Sequence, residues 1–577
     1  MESIRTFLFI LFAFLTFLLY QEWQKDHTPV KVEKASIESS LENYQPLTAT
    51  PPIEIEKNLT TETPEISDLS SQVPEQTENK REVAVQNSQS IPIIVTTDSL
   101  RVVISPVGGN IVSAELIKYK ETLDEDSNPI NILENRNGRV FVAISGLYGE
   151  GAPDYKKNRA VYQSTQTKYE LEEGREQLVV DLTWNNSKGV EYIKRFTFHS
   201  EQYVIDVQYI VNNLSDTKIA NRMFTSLKRD TGPVDGQEES GLGMRSYIGP
   251  AYYTQDDKYE KYEFDDIEEE ELRVSTENGW IAILQHYFVT AWIPVSELEN
   301  TIDATDKNLG KKDLVQIRMT QGWQWIEPRE TVTLSARLYV GPKIQSKLEE
   351  ISKGLDLTVD YGILWWIGQP IFFLLIFFQS FTINWGFAII LVTIAIKTLL
   401  YPLARAQYRS FAKMRLLQPK MTAMKEQYGE DKQQMSMKMM ELYKKEKVNP
   451  LGGCFPLLIQ MPVFISLYWV LMESVELRHA PFILWIEDMS VMDPYYVMPL
   501  LMGLSMYMMQ KMQPVSPTMD PMQQKMMQMM PVFMTVFFVF FPAGLVLYWL
   551  FNNLISISQQ LYITKQFNNE QETKRKK

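Results

Sequence analysis

Along this chain the spacing of apolar positions changes several times, and each change marks the border of a predicted element. An unbroken apolar run, Phe7–Tyr20, follows Arg5 and gives way to Trp23 and a polar stretch. Its length fits a signal-peptide core or a short membrane helix. No small-x-small cleavage site follows, and no lipidation cysteine, so residues 1–23 are expected to be an uncleaved signal anchor with a cytoplasmic N-terminus; a cleaved signal is the alternative. Residues 24–90 are rich in Glu, Ser, Thr, Gln and Pro, a composition that predicts a disordered tether. From 91 to 345 the period becomes two. In EQYVIDVQYIVNN, Tyr203, Ile205, Val207, Tyr209 and Val211 share one face, as in a half-buried strand. VVDLTWNNSKGVEYIKRFTF predicts two strands around an Asn/Gly turn, and GWIAILQHYFVTAWIP and ETVTLSARLYVG predict further strands. Many short strands with polar turns imply a large antiparallel β-sandwich.

Beyond it the pattern turns helical and apolar. IQSKLEEISKGL (344–355) predicts an amphipathic helix leaving the sandwich. Residues 346–384 are assigned to a linker and an interfacial helix, because Gln369–Pro370 and Gln379–Ser380 interrupt an otherwise apolar run that opens on Trp365–Trp366. Membrane spans are expected at 385–402, 451–472 and 495–510. Residues 526–563 are too long for one crossing, and FPAGL at 541–545 divides them into spans 526–541 and 545–563. With the anchor this makes six. Between them lie a helical hairpin (403–450, turning at YGEDK), a loop at 473–494, a loop at 511–525 and a tail at 564–577.

Charge tests this arrangement. The segment 403–450 holds eleven Lys/Arg against five Asp/Glu, 473–494 holds one Arg against five acids, and the tail ends in TKRKK. Six spans with the N-terminus inside put the hairpin and tail in the cytoplasm and the β-domain outside, whereas five would put the basic tail outside. The net charge of −14 argues against non-specific DNA binding. A single cysteine, Cys454, excludes an intramolecular disulfide, and the four histidines have no metal-ligand spacing. No Gly-rich phosphate loop or nucleophile–base set is present, so neither a cofactor nor an enzymatic reaction is expected.

One residue breaks the pattern. Lys397 lies within LVTIAIKTLLYP, in a segment whose nine Phe, Ile, Leu and Val residues favour insertion. Their contribution is about 3–5 kcal/mol, against about 2.5–3.5 kcal/mol for a central lysine. The helix inserts only marginally unless Lys397 meets water or a partner. Snorkelling is one solution, because Tyr401 at the cytoplasmic end is roughly 6 Å away. A polar groove is another, because Thr393 lies one turn inward on the same face.

The junctions YPLARAQYRSFAKMRLLQPK, ELYKKEKVNPLGGCFPLLIQMPVF, DPMQQKMMQMMPVFMTVFF and FPAGLVLYWL resemble the YidC/Oxa/Alb membrane-protein insertase family, through essentially all of 361–565. A large exported domain between the first two spans is similar to the Gram-negative arrangement. The resemblance implies a polytopic α-helical membrane protein. Its six spans would include a five-helix core around a hydrophilic groove, open to cytoplasm and lipid and closed to the periplasm. It also implies a periplasmic β-domain similar to the galactose mutarotase-like supersandwich, with a scaffold role. Lys397 takes the position of the family's groove cation, more often arginine, so charge is kept without the bidentate fork. Thr393, Gln460, Phe464, Tyr548 and Trp549 would line the groove; Trp549 stands where many members have a second tyrosine. Implied partners are nascent membrane proteins, the Sec translocon with its accessory subunits, the ribosome, the signal recognition particle system and membrane lipids. Arg405, Arg409, Lys413, Arg415 and Lys420 make the first arm of the hairpin basic, which suits ribosomal RNA, nascent chains or lipid headgroups. Met435, Met439 and Met440 are candidate substrate contacts, because thioethers adapt to many apolar sequences. A secondary transporter with Lys397 as counter-charge for an anionic solute is the alternative, although no internal repeat supports it.

Overall fold

The computed structural model describes residues 91–576 apart from 137–138, 156–158, 233–245, 265–266, 268–271, 296–297, 310–311, 429–430, 447–454 and 514–520. The predicted anchor and tether lie outside the described residues. The described residues 91–513 and 528–576 belong to one compact unit, to which everything below refers apart from residues 521–527 at the start of α8.

Residues 93–342 build two sheets, one of eleven strands and one of nine. Strict alternation drives the second: along Val190–His199 and Val204–Asn213 every other side chain is buried, including Ile205, Val207, Tyr209 and Val211. These strands pair antiparallel with Ile205 opposite Phe198, and Thr331–Pro342 flanks them with Leu338 opposite Ile205. Trp280–Leu284 and Phe288–Pro294 are buried on both faces. Trp292 ties the sheets together, its indole N–H donating to the Ser226 carbonyl at 3.1 Å. Among the described strands one pair departs from the expected antiparallel rule: Ile93–Thr96 runs parallel to Lys168–Glu170. The long stretch of chain between them supplies the crossover that parallel pairing needs.

Nine helices are described: α1 (Gln345–Ile351), α2 (Trp365–Thr382), α3 (Trp385–Leu399), α4 (Tyr401–Tyr428), α5 (Lys432–Lys445), α6 (Phe455–Glu473), α7 (Val497–Lys511), α8 (Pro521–Phe538) and α9 (Ala543–Lys576). After α1, Gly354 takes φ 78°, and a Cβ there would run into the Tyr253 ring. Asn384 caps α3, accepting from the Phe387 amide at 3.2 Å and donating to the carbonyls of Pro481 and Phe482. α3 and α4 meet at a 68° bend. Pro402 explains it: its nitrogen carries no hydrogen and so cannot extend the hydrogen-bond ladder of α3, yet proline fits the first turn of the helix that follows. α9 packs on α3, α4 and α7, while α2 packs on α3 and α6.

By length and composition Gly362–Thr382, expected to be interfacial, is the one described helix apolar enough to cross a membrane by itself; the bent α3–α4 pair qualifies only if counted as one span. The segment after 563, expected to be a tail, continues α9 to Lys576. No Gly or Pro follows Gly544, and Gln, Glu and Lys are good helix formers.

Candidate functional site

Lys397 occupies the last turn of α3, where the free carbonyls at a helix C-terminus favour a cation. Its side chain turns into the bundle and is 4% exposed. The ammonium donates to Ser556 Oγ on α9 at 2.8 Å and to Gln460 Oε1 on α6 at 3.5 Å. The Ser556 hydroxyl donates to the Asn552 carbonyl at 2.7 Å, which leaves its oxygen free to accept. The Gln559 amide reaches the Lys397 carbonyl at 3.4 Å, so α9 grips this residue at both ends. Both acceptors of the ammonium are neutral, and among the described residues no carboxylate forms an ion pair with it. Burying a charge this far from solvent is costly unless hydrogen bonds or a counter-charge compensate.

Thr393 is also buried, but its hydroxyl donates to the Ile389 carbonyl of its own helix at 2.7 Å. It therefore adds polarity to the α3 face without touching the ammonium. One turn along α6 from Gln460, Phe464 packs edge-on against Trp549 with centroids 4.4 Å apart, and lies 6.2 Å from Tyr548. Phe538 of α8 completes the wall at 4.9 Å from Trp549. The wall has a definite side. Asn384 at the start of α3 and Gly544 at the start of α9 both bond to the 481–489 segment. Lys397 and Ser556 therefore lie toward the opposite end of the bundle, with Trp549 between Ser556 and Gly544 along α9.

The α4–α5 hairpin holds itself together through Leu417, Met421, Met439 and Leu442, with Met435 packed against them. Met435 and Met439 thus face α4, while Met440 and Met437 are exposed. The basic arm is partly committed within the chain. Arg409 bonds to Glu570, Lys420 pairs with Glu446 at 2.7 Å, and Arg415 donates to the Met512 carbonyl. Lys413 is exposed and Arg405 is half-buried.

Sequence reasoning overlooked Ser556, the nearest partner of Lys397. It also overlooked Asn553, whose amide donates to Ser505 Oγ on α7 at 3.0 Å. The signal was diluted: Asn553, Ser556 and Gln560 recur at helical spacing on one face of α9, but Asn552, Ser558 and Gln559 beside them are polar too. Among the described residues no group of three or more His, Cys, Asp or Glu side chains could hold a metal ion.

Two family models match the chain: one described as the YidC periplasmic domain over residues 92–374, the other as the 60Kd inner membrane protein over 377–571. The membrane protein insertase YidC of Shewanella pealeana is 48% identical over 564 residues, covering 98% of this chain and 98% of its own. That of Shewanella baltica is 47% identical over 564 residues with the same coverage. Among solved structures, an active YidC insertase with its first transmembrane domain resolved covers 82% of this chain and 92% of its own. Its identity is 18% and its TM-score 0.35.

Proposed function

Since this chain belongs to the YidC family of membrane protein insertases, we propose that it inserts nascent membrane proteins by way of the polar site around Lys397. It is an inner-membrane protein, its β-domain corresponds to the family's periplasmic domain, and its activity is insertion rather than an enzymatic reaction. Beyond this, the reading takes the chain to cross the membrane six times, with both termini and the α4–α5 hairpin in the cytoplasm. The eleven basic residues of 403–450 support that orientation. The Sec translocon, the ribosome, the signal recognition particle system and lipid headgroups are its proposed partners; exposed Lys413 and Met440 are the residues of the hairpin best placed to meet them.

The observation that carries the proposal is a buried ammonium held by neutral groups. Such a cation can exchange Ser556 and Gln460 for a carboxylate on the exported part of a substrate, shortening the apolar path that a polar segment crosses. Gln460, Phe464, Tyr548 and Trp549 then serve as groove lining, and the aromatic wall limits how far water follows. The driving energy is burial of the substrate's own apolar segment in lipid, about 0.8 kcal/mol per CH₂.

Purified protein in liposomes tests this. A single-span substrate made by cell-free translation should insert without a nucleotide or other protein. Insertion no greater than into protein-free liposomes would overturn the proposal.

A further inference from the structure

The end of α6 is gripped by the β-domain. Glu473, its last residue, is 2% exposed and accepts from Lys343 Nζ at 2.9 Å; Lys343, also 2% exposed, follows directly on the strand Thr331–Pro342. The same ammonium donates to the Thr358 carbonyl at 3.3 Å, and the Lys343 amide donates to Tyr287. One residue earlier on α6, the Met472 carbonyl receives His286 Nε2 at 2.9 Å. A carbonyl only accepts, so that nitrogen carries the proton, and the imidazole caps a helix end that lacks intrahelical donors. The His286 ring stacks on Tyr287 at 3.8 Å. Beyond α6, Arg478 donates to the carbonyls of Lys120 and Glu121, at the end of the strand Asn110–Lys120. Leu355, Val359 and Tyr361 share one apolar core with Leu467, Val470 and Leu471 of α6.

Two features make this junction more than adhesive. An apolar seam tolerates sliding, but separating a buried ion pair leaves two unpaired charges, so the pair admits few relative positions. The gripped helix is also the one that carries Phe464 and Gln460 into the polar site, the latter roughly 20 Å along α6 from Glu473. Pro462 is the proline inside α6 between the grip and Gln460.

We propose that the β-domain sets the position of α6, with Lys343 acting through Glu473 as the positioning residue that holds Phe464 and Gln460 against Trp549 and Lys397. This gives the exported domain a part in insertion and rests on the insertase reading for that activity alone.

The test uses the full chain in lipid nanodiscs, in a Cys454→Ser background. Spin labels at Leu399→Cys on α3 and Met461→Cys on α6 report their separation by pulsed electron paramagnetic resonance. The parent should show one narrow distance distribution. Lys343→Met should broaden it and slow insertion roughly two- to thirtyfold. The double variant Lys343→Met/Glu473→Leu removes both charges and should recover the parent's melting temperature. Its α3–α6 distribution should nevertheless stay broad and its insertion slow, because an apolar seam no longer fixes the register. Arg478→Ala, which leaves the ion pair intact, should broaden the distribution less than Lys343→Met. A narrow distribution in Lys343→Met, or a double variant that recovers distance and insertion along with stability, would overturn the inference. The distance measurement needs no activity, so an inactive parent would count against the insertase reading and leave this result standing.

Discussion

Ser556→Ala should make insertion more selective for acidic cargo. A substrate carboxylate about 4 Å from the Lys397 ammonium gains about 4 kcal/mol at an effective dielectric of about 20. To reach it the ammonium gives up the 2.8 Å bond to Ser556 and the 3.5 Å bond to Gln460. Hydrogen bonds to a charged group contribute about 1.5–3 kcal/mol when well formed, so the two together cost about 3 kcal/mol. About 1 kcal/mol remains, or roughly a fivefold preference for an acidic over a neutral tail. Removing the Ser556 hydroxyl lowers the cost by about 1.5 kcal/mol and raises that preference about tenfold. Lys397→Met should abolish it, and Lys397→Arg should keep it. The assay is the ratio of initial insertion rates in liposomes for two single-span substrates that differ by one Asp-to-Asn change in the exported tail. If Ser556→Ala left the ratio unchanged or lowered it, the serine would not be competing with substrate for the ammonium.

Three further outcomes follow from the same geometry. Trp292→Phe leaves the Ser226 carbonyl without its indole donor between the sheets, and should cost about 1–3 kcal/mol, read as a lower melting temperature. Asn384→Ala removes the cap of α3 and two bonds to the 481–482 carbonyls; about 0.5–2 kcal/mol of stability should be lost for the cap, measured in detergent. The junction should also respond to pH. Burial pushes the Glu476 carboxyl from 4.5 up to about 7, so the folded state holds an extra proton between those values and stability falls as pH rises through that window. Burial lowers the His286 imidazole below 6.5, so the unfolded state takes up more protons there and stability falls as pH drops below about 6.5. Below about 6.5 the two effects oppose each other, so melting temperature should fall clearly only as pH rises from about 6.5 to about 7, and Glu476→Gln should remove that fall and expose the His286 decline below about 6.5.

The β-domain was legible because period-two alternation is local. Ile205, Val207, Tyr209 and Val211 could be placed on one buried face from spacing alone. The parallel pairing of Ile93–Thr96 was not legible, since nothing in either short strand records a partner so far along the chain. In the helical half, Lys397 stood out as a charge in apolar surroundings and Gln460 came from the family resemblance; the two side chains lie 3.5 Å apart. Ser556 did not stand out, because serine is ordinary in an apolar helix and only the folded bundle shows which acceptor faces the ammonium. Thr393 was placed by spacing on the same face as Lys397, but spacing could not show that its hydroxyl is satisfied by its own backbone, a local bond that serine and threonine readily make in helices. The Met435 and Met439 side chains could not be told from exposed ones until α5 was laid on α4. The grip of Lys343 on Glu473 joins residues 130 positions apart and left no trace in either neighbourhood.

If substrates pass beside Lys397, site-specific photocrosslinking will capture them there. A crosslinking amino acid is placed in turn at Gln460, at Tyr548 and, as a control, at exposed Trp325 on the β-domain, and a ribosome-stalled membrane protein is presented to each. The nascent transmembrane segment should crosslink from 460 and 548 and not from 325. Crosslinks no stronger at 460 and 548 than at 325 would place the substrate path elsewhere.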